Sequence, residues 1–356
     1  MIVRAGLIGY GYAGRIFHAP LIAATDGLTL AAVATAQDAA VRAAWPGVET
    51  LPDPADLFAR RDIDLIVIAT PNDTHAPLAR AALEAGKHVV VDKPFTLDMA
   101  QARDLSIVAE QCGRVLSVFH NRRWDSDFLG VRTAIAQGQI GEVVHFESHF
   151  DRFRPQVRDR WRERAGPGAG VWFDLGPHLA DQALVLFGLP DGVSADLAVL
   201  REGAGADDWA HVVLRYPRLR VILHAGILAA GGAARFAVHG DKGSLVKRMP
   251  DRQEAQLLAG MTPGAVGWGA DPDAIVVFDG AGGERFLPSP AGDQRAYYAA
   301  VASAVRDGGR NPASPVEALA VMAVIEAGIA SARDGCVKRL DLSEAELRRF
   351  HAARSL

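Results

Sequence analysis

The chain has 356 residues, long for one hydrophobic core, so two domains are expected. With 49% hydrophobic and 22% charged residues it has the make-up of a packed globular protein, and a net charge of −4 with mixed signs argues against a nucleic-acid or acidic-membrane partner. The two cysteines, Cys112 and Cys336, cannot build a disulfide framework and fit a reduced setting. The first strand pattern starts directly after Met1, leaving no room for a secretory signal, and no stretch approaches the ~20 uninterrupted apolar residues of a membrane span. A cytoplasmic protein is the expectation.

Residues 2–8 form an apolar run that meets Gly9, a strand entering a turn. A helical pattern follows to Ala24, then further apolar runs at 28–34, 63–69, 88–91 and 115–119. Between them lie helix-like stretches, notably 75–85, with Thr74 as the expected cap and Gly86 as the stop. Strands apolar on both faces and alternating with helices predict a parallel sheet covered on both sides. This first domain is assigned to 1–120.

Beyond it the period changes. Residues 143–153 alternate strictly, with Phe146 and Phe150 on one face and His145, Glu147, His149 and Asp151 on the other. Such alternation predicts a half-covered sheet of antiparallel type. Short strands are expected around 209–216, 219–228, 234–239 and 274–278, and helices at 293–307, 315–333 and 343–353. The second domain is assigned to 121–356.

Gly9-Tyr10-Gly11-Tyr12-Ala13-Gly14 is a G-x-G-x-x-G between the first strand and first helix. The first glycine permits a tight turn, the second lets backbone approach a pyrophosphate, and the third lets helix and strand pack closely. Free N–H groups at a helix start then face the phosphates. Where NAD sites usually place a carboxylate for the ribose, this sequence has Thr35-Ala36-Gln37. Nothing there repels a 2′-phosphate, and Arg15 or Arg42 stands near enough in sequence to attract one, so NADP is favoured. Asp38 keeps NAD open.

With this turn, Thr70-Pro71-Asn72-Asp73-Thr74-His75 and Asp92-Lys93-Pro94 make an ordered set that resembles the Gfo/Idh/MocA oxidoreductases. The stretch Gly170-Val171-Trp172-Phe173-Asp174-Leu175-Gly176-Pro177-His178 looks like that family's catalytic segment. That segment and Phe119-His120-Asn121-Arg122-Arg123-Trp124-Asp125 are most similar to NADP-dependent scyllo-inositol dehydrogenases. The resemblance implies a Rossmann domain followed by an α/β domain with a large, open, mostly antiparallel sheet. It implies a dehydrogenase for a ring hydroxyl of an inositol or sugar-like polyol, or a reductase for the matching ketone. An aldose or diol dehydrogenase and a non-catalytic NADP(H) sensor are the alternatives.

Such a reaction needs a base for the hydroxyl proton and positive charge near an oxygen that gains alkoxide character. Lys93 follows an apolar strand at its C-terminal end, where open α/β sheets bind ligands, and the resemblance implies that it is catalytic. Asp174 and His178 are four residues apart and share a helix face; His178 suits proton transfer, and Asp174 either orients it or bonds a substrate hydroxyl. Asp181 lies on the same side. Asp174 also reads as the helix N-cap. Thr70, Pro71, Asn72 and His75 are expected near the ribose or nicotinamide, although turn and cap chemistry also uses such residues. Asn121, Arg122, Arg123, Trp124 and Asp125 are expected either to line a polyol pocket or to form a solvated linker. His145, Glu147, His149 and Asp151 invite a metal, but alternate residues of one strand stand ~6.6 Å apart, and with no cysteine pattern no metal is expected. The half-covered sheet predicts self-association as a dimer or tetramer.

Overall fold

Short runs apolar on both faces become six parallel strands in the computed structural model, which describes residues 2–354. They are β1 (Val3–Ile8), β2 (Leu28–Ala34), β3 (Glu49–Leu51), β4 (Leu65–Ile68), β5 (His88–Val91) and β6 (Leu116–Val118), in the order β3-β2-β1-β4-β5-β6. Leu7, Val33, Val67 and Val90 are wholly buried, as a sheet covered on both faces requires. The order reverses between β1 and β4, and ligands of such sheets bind at the strands' C-terminal ends beside that point.

The first helix departs from regular geometry. Gly14–His18 winds as a π-helical turn leading into Ala19–Ala23, and the Ala19 N–H donates to the Gly14 carbonyl. The helix His75–Glu84 ends as expected, Gly86 adopting a φ of 78° while its N–H donates to Leu83. Its start differs from the expectation. Thr74 makes no side-chain cap, because its hydroxyl is turned back to the Pro71 carbonyl at 2.7 Å.

By contacts the chain forms two units, one of residues 1–124, 253–268 and 293–319, the other of 125–252, 269–292 and 320–356. The helix Arg295–Asp307 belongs to the first unit and packs on β1 and β2.

The second unit is built on an eight-stranded sheet: β7 (Val143–Asp151), β8 (Gly192–Ala198), β9 (Trp209–Arg215), β10 (Arg220–Gly226), β11 (Phe236–Gly240), β12 (Gly243–Lys247), β13 (Ile275–Phe278) and β14 (Glu284–Leu287). The order is β14-β13-β12-β11-β7-β10-β9-β8, and every pairing is antiparallel except β7 with β10. Phe146, Ser148 and Phe150 are buried, while His145, Glu147, His149 and Asp151 stay partly exposed. The helix Val171–Phe187 packs on β7, β9 and β10.

The helix Pro315–Asp334 is the one among the described residues long and apolar enough to cross a membrane, yet 67% of its apolar window is buried inside the fold, as for a core helix. Trp172 packs against it, the indole Nε1 donating to the Ile325 carbonyl at 3.1 Å. Gly176 and Gly328 both abut that ring, so the two helices meet at close range.

Candidate active site

In the first unit the glycine turn divides its labour as the motif predicts. Gly9 has a φ of 91°, and a Cβ there would stand 2.6 Å from the Ala69 carbonyl oxygen. A Cβ on Gly14 would lie 2.2 Å from the Gly9 oxygen, so this glycine serves helix–strand packing. A Cβ on Gly11 would meet nothing within 4 Å. The backbone there is open to an incoming group, which is what a pyrophosphate needs. Tyr10 is buried and accepts from Trp45 Nε1 at 2.9 Å, whereas Tyr12 is exposed and donates to Glu254 at 2.8 Å. The turn, with Ala13 at the helix start, therefore fits a dinucleotide.

At the end of β2, Thr35 Oγ1 accepts from Gln37 N–H at 3.0 Å. Asp38 opens the following helix, Asp38–Ala44, and is bonded to Arg42 Nε at 2.8 Å and to the Thr50 hydroxyl. These bonds, the one to Arg42 foremost, hold its carboxyl below the usual range. The acid that kept NAD open is thus already engaged.

β5 delivers Asp92 and Lys93 to the C-terminal edge of this sheet. Asp92 Oδ1 accepts from the Lys93 N–H at 2.7 Å, and the Lys93–Pro94 bond is cis. Burial pushes the Asp92 carboxyl up, but the His18 ring, Lys93 and His75 outweigh it and bring it down to about 2. His18 is wholly buried, with Nδ1 at 2.6 Å from the Tyr298 hydroxyl and Nε2 at 3.8 Å from Asp92. The longer distance is an electrostatic contact rather than a hydrogen bond. His75 is buried with its ring between two carbonyls, Nδ1 at 2.8 Å from Pro94 O and Nε2 at 3.1 Å from Thr70 O. It braces the loop of Thr70, Pro71 and Asn72 against the Lys93–Pro94 corner. A neutral ring donates to only one of these carbonyls at a time. His18 and Tyr298 were not foreseen, since a lone histidine and a lone tyrosine 280 residues apart carry no spacing signal.

The residues at 121–124 find partners within the first unit. Asn121 donates to Gln294 at 3.0 Å, Arg122 to Glu254 at 3.0 Å, and Arg123 to Glu317 at 2.9 Å and Pro312 O at 2.7 Å. Trp124 packs edge-on to Tyr297. These contacts fasten the returning segments 253–268 and 293–319. Asp125 falls in the second unit, buried at the start of Ser126–Ala136, with no side-chain cap bond.

In the second unit the helix Val171–Phe187 carries Asp174, His178 and Asp181 along one stripe. Asp174 is not its cap. The helix begins three residues earlier at Val171, after Gly170 with a φ of 92°, and Asp207 takes the capping place. The Asp207 carboxylate accepts from Trp172 N–H at 2.7 Å and its carbonyl from Val171 N–H at 2.7 Å. Burial pushes the Asp207 carboxyl up to about 6 even though these bonds oppose it. Asp174 is thereby released to face Arg162, whose Nε lies 3.5 Å from Oδ1. His178 is buried, edge-on to the Phe150 ring. A pocket beside this turn is lined by Arg152, Arg160, Arg162, Asp174 and Asp207. The arginine-rich run 152–164 contains the short 3-10 turn Trp161–Glu163, with Glu163 buried against Arg160 and Arg201.

The second unit also hides Arg235 beneath the sheet, donating to Gln182 at 2.7 Å and Ser148 at 2.5 Å and lying 3.1 Å from Asp127. It sits 4.0 Å from the centres of both the Phe150 and Phe236 rings, so the ring beside His178 rests on a fixed cation.

A six-stranded parallel sheet with a glycine turn after its first strand, followed by a unit built on a large mixed sheet, is the architecture of an NAD(P)-binding oxidoreductase. Residues 3–120 match the family description "Oxidoreductase family, NAD-binding Rossmann fold" and residues 132–339 match "Oxidoreductase family, C-terminal alpha/beta domain"; the chain belongs to the Gfo/Idh/MocA oxidoreductases. It is 55% identical over 334 residues to the uncharacterized oxidoreductase YdgJ of Escherichia coli (strain K12), covering 93% of this chain and 96% of that one. It is 34% identical over 337 residues to the NADP(+)-dependent scyllo-inositol 2-dehydrogenase IolW of Bacillus subtilis (strain 168), covering 93% and 94%. A crystal structure of an oxidoreductase from Klebsiella pneumoniae, named without a substrate, superposes with a TM-score of 0.93 at 54% identity, covering 99% of each chain.

Proposed function

We propose that this oxidoreductase prefers NADP and oxidises a ring hydroxyl of an inositol or sugar-like polyol, or reduces the matching ketone. The observation that carries the reading is the Asp92–Lys93 corner, at the C-terminal end of β5, on the same sheet edge that receives the glycine turn. When bound, the nicotinamide supplies the hydride acceptor. Lys93 donates a hydrogen bond to the substrate oxygen as negative charge grows there. His178 takes the hydroxyl proton, and its buried place beside Phe150 keeps bulk water from competing for it. Asp174 accepts from a neighbouring hydroxyl and so sets which carbon reacts. Asp92 and His75 act at one remove, by holding the backbone from which Lys93 extends.

Preference for NADP rests on the neutral Thr35 corner and on the bonds that tie Asp38 to Arg42 and Thr50. The name of the Bacillus relative agrees with it. Asn121, Arg122, Arg123, Trp124 and Asp125 are read as substrate-side residues, the first three held in place by Gln294, Glu254 and Glu317. The polar face of β7 is the surface for self-association as a dimer or tetramer.

A second reading changes only the substrate. Arg152 and Arg162 beside Asp174 favour a polyol bearing a carboxylate, a sugar acid, over a neutral ring. One assay tests both readings: absorbance of the reduced nicotinamide with each cofactor, against inositols, aldoses and sugar acids. Turnover with a neutral polyol supports the first and turnover only with acids supports the second. Tight NADPH binding with no turnover across the panel would replace the enzyme by a dinucleotide sensor.

A further inference from the structure

On the face of the second sheet turned away from Phe150 and the helix Val171–Phe187, three side chains converge that the proposed reaction does not use. We propose that His149, Asp151 and His224 form a site for one divalent transition ion of the zinc type, held between β7 and β10. One ligand atom from each lies within 4.8 Å of the other two. His224 Nε2 is 3.6 Å from Asp151 Oδ1, and His149 Nδ1 is 4.0 Å from Asp151 Oδ2.

The topology explains why one strand's sequence conceals the site. Alternate residues of β7 lie ~6.6 Å apart, too far for a shared ion, but a neighbouring strand lies ~4.8 Å away. β10 is the one strand that pairs parallel to β7, with His224 opposite His149 and Gly226 opposite Asp151. The expectation of no metal rested on the spacing along β7 and on the lack of a cysteine pattern, and a ligand from a neighbouring strand lay outside it.

Two further observations point to a ligand rather than to a polar surface. The Asp151 side chain is only 8% exposed, and among the described residues its Oδ1 has no hydrogen-bond donor, although Oδ2 accepts from Ala233 N–H at 2.8 Å. His149 Nδ1 is likewise buried with no hydrogen-bond partner among the described residues. A buried carboxylate oxygen and imidazole nitrogen left unbonded are costly unless something fills the gap. The second observation is the gap itself. A Cβ on Gly226 would stand 3.2 Å from His224 Nε2 and 3.6 Å from Asp151 Oδ1, so glycine keeps open the space between two donors.

The surrounding groups suit ligation. Glu147 holds His149 Nε2 at 2.9 Å, the carboxylate–histidine arrangement that fixes a tautomer and leaves Nδ1 as the lone pair. His211 Nδ1 lies 3.4 Å from His224 Nδ1, so a proton there leaves Nε2 of His224 to bind. Two imidazoles and one carboxylate suit zinc, with a fourth position for water. Zinc–ligand bonds of about 2.0–2.1 Å set neighbouring ligand atoms roughly 3.4 Å apart, so the three groups close by about 1 Å through side-chain rotation. The ion clamps two parallel strands and takes no part in hydride transfer, so this inference stands apart from the proposed function.

The test uses the full chain stripped with a chelator and titrated with zinc by calorimetry, with metal content measured on the product. One ion per chain is expected, and zinc should raise the melting temperature of the wild type. Asp151→Asn and His224→Gln should each weaken binding at least ~100-fold and abolish the zinc-dependent rise, and Glu147→Gln should weaken it ~10–100-fold. His351→Gln, remote on the C-terminal helix, should change nothing. Cobalt(II) gives a second readout that needs no variant: a visible spectrum of a low-coordinate nitrogen–oxygen site in the wild type. Absence of one-to-one binding, a six-coordinate cobalt spectrum, or zinc affinity unchanged in both Asp151→Asn and His224→Gln would overturn the proposal.

Discussion

Asp207 anchors the helix that bears the proposed proton acceptor, its carboxylate 2.7 Å from the Trp172 amide. The anchor comes from a loop 35 residues downstream, and a Cβ on Gly170 would strike that same carboxylate. The first turn is therefore held from outside, which frees Asp174 from capping.

This relationship gives a pH signature. In the folded chain Asp207 is raised from 3.8 to about 6, first of all by burial. The native state then binds the proton more tightly than the unfolded one. Its contribution to stability is fully present below about pH 4 and is lost as pH rises through about 6. In Asp207→Asn, which still caps, the fall in melting temperature over that interval should flatten. Asp207→Ala should instead cost roughly 0.5–2 kcal/mol at every pH through loss of the cap. Melting curves from pH 4 to pH 7 decide; an unchanged profile in the asparagine variant refutes the assignment.

The glycine turn predicts a separation of folding from binding. Gly14→Ala forces a methyl to within 2.2 Å of the Gly9 oxygen and should lower the melting temperature by several degrees. Gly11→Ala meets no protein atom within 4 Å and should melt like the wild type. It should nevertheless weaken NADPH binding at least ~10-fold, because the methyl occupies the pyrophosphate's approach. Fluorescence titration beside thermal melting checks both; wild-type affinity in Gly11→Ala would place the dinucleotide elsewhere.

Where periodicity was strong, the sequence was a good guide. The runs at 28–34 and 88–91 became strands at those residues, and the alternation of β7 was read with the correct faces. Short strands escaped: Glu49–Leu51 and Glu284–Leu287 are three and four residues long, with little apolar content to mark them. The return of 253–268 and 293–319 to the first unit is a tertiary event with no local pattern. Asp174 was misread as a cap because the true cap, Asp207, lies far along the chain. The Lys93 corner was legible from its motif, but its supports, His18 and Tyr298, are joined only by folding.

Cofactor choice should turn on Thr35. Its hydroxyl accepts from the Gln37 backbone amide, and the Asp38 carboxylate is held by Arg42 and Thr50. Thr35→Asp should cut NADP affinity at least ~10-fold, about 1.4 kcal/mol, and improve NAD. The ratio of kcat/KM for the two cofactors measures this. A wild type that already prefers NAD, or a variant with no change in ratio, would show that the 2′ position is read elsewhere.

His178 and Lys93 should fail in different ways if one moves a proton and the other steadies charge. His178→Ala removes the group that takes the hydroxyl proton and should lower kcat by roughly 10²–10⁴-fold while leaving NADPH affinity within about twofold of wild type. Part of that loss should return as pH rises, because hydroxide and buffer bases then substitute for the imidazole. Lys93→Met should lose a comparable factor with no such recovery, since no solvent base replaces a cation beside the developing alkoxide. Asp92 holds the Lys93 backbone amide, so Asp92→Asn should fall between wild type and Lys93→Met in kcat. Pre-steady-state turnover at pH 6–10 resolves these cases, and recovery of both variants in parallel would mean that the two residues do not divide the work in this way.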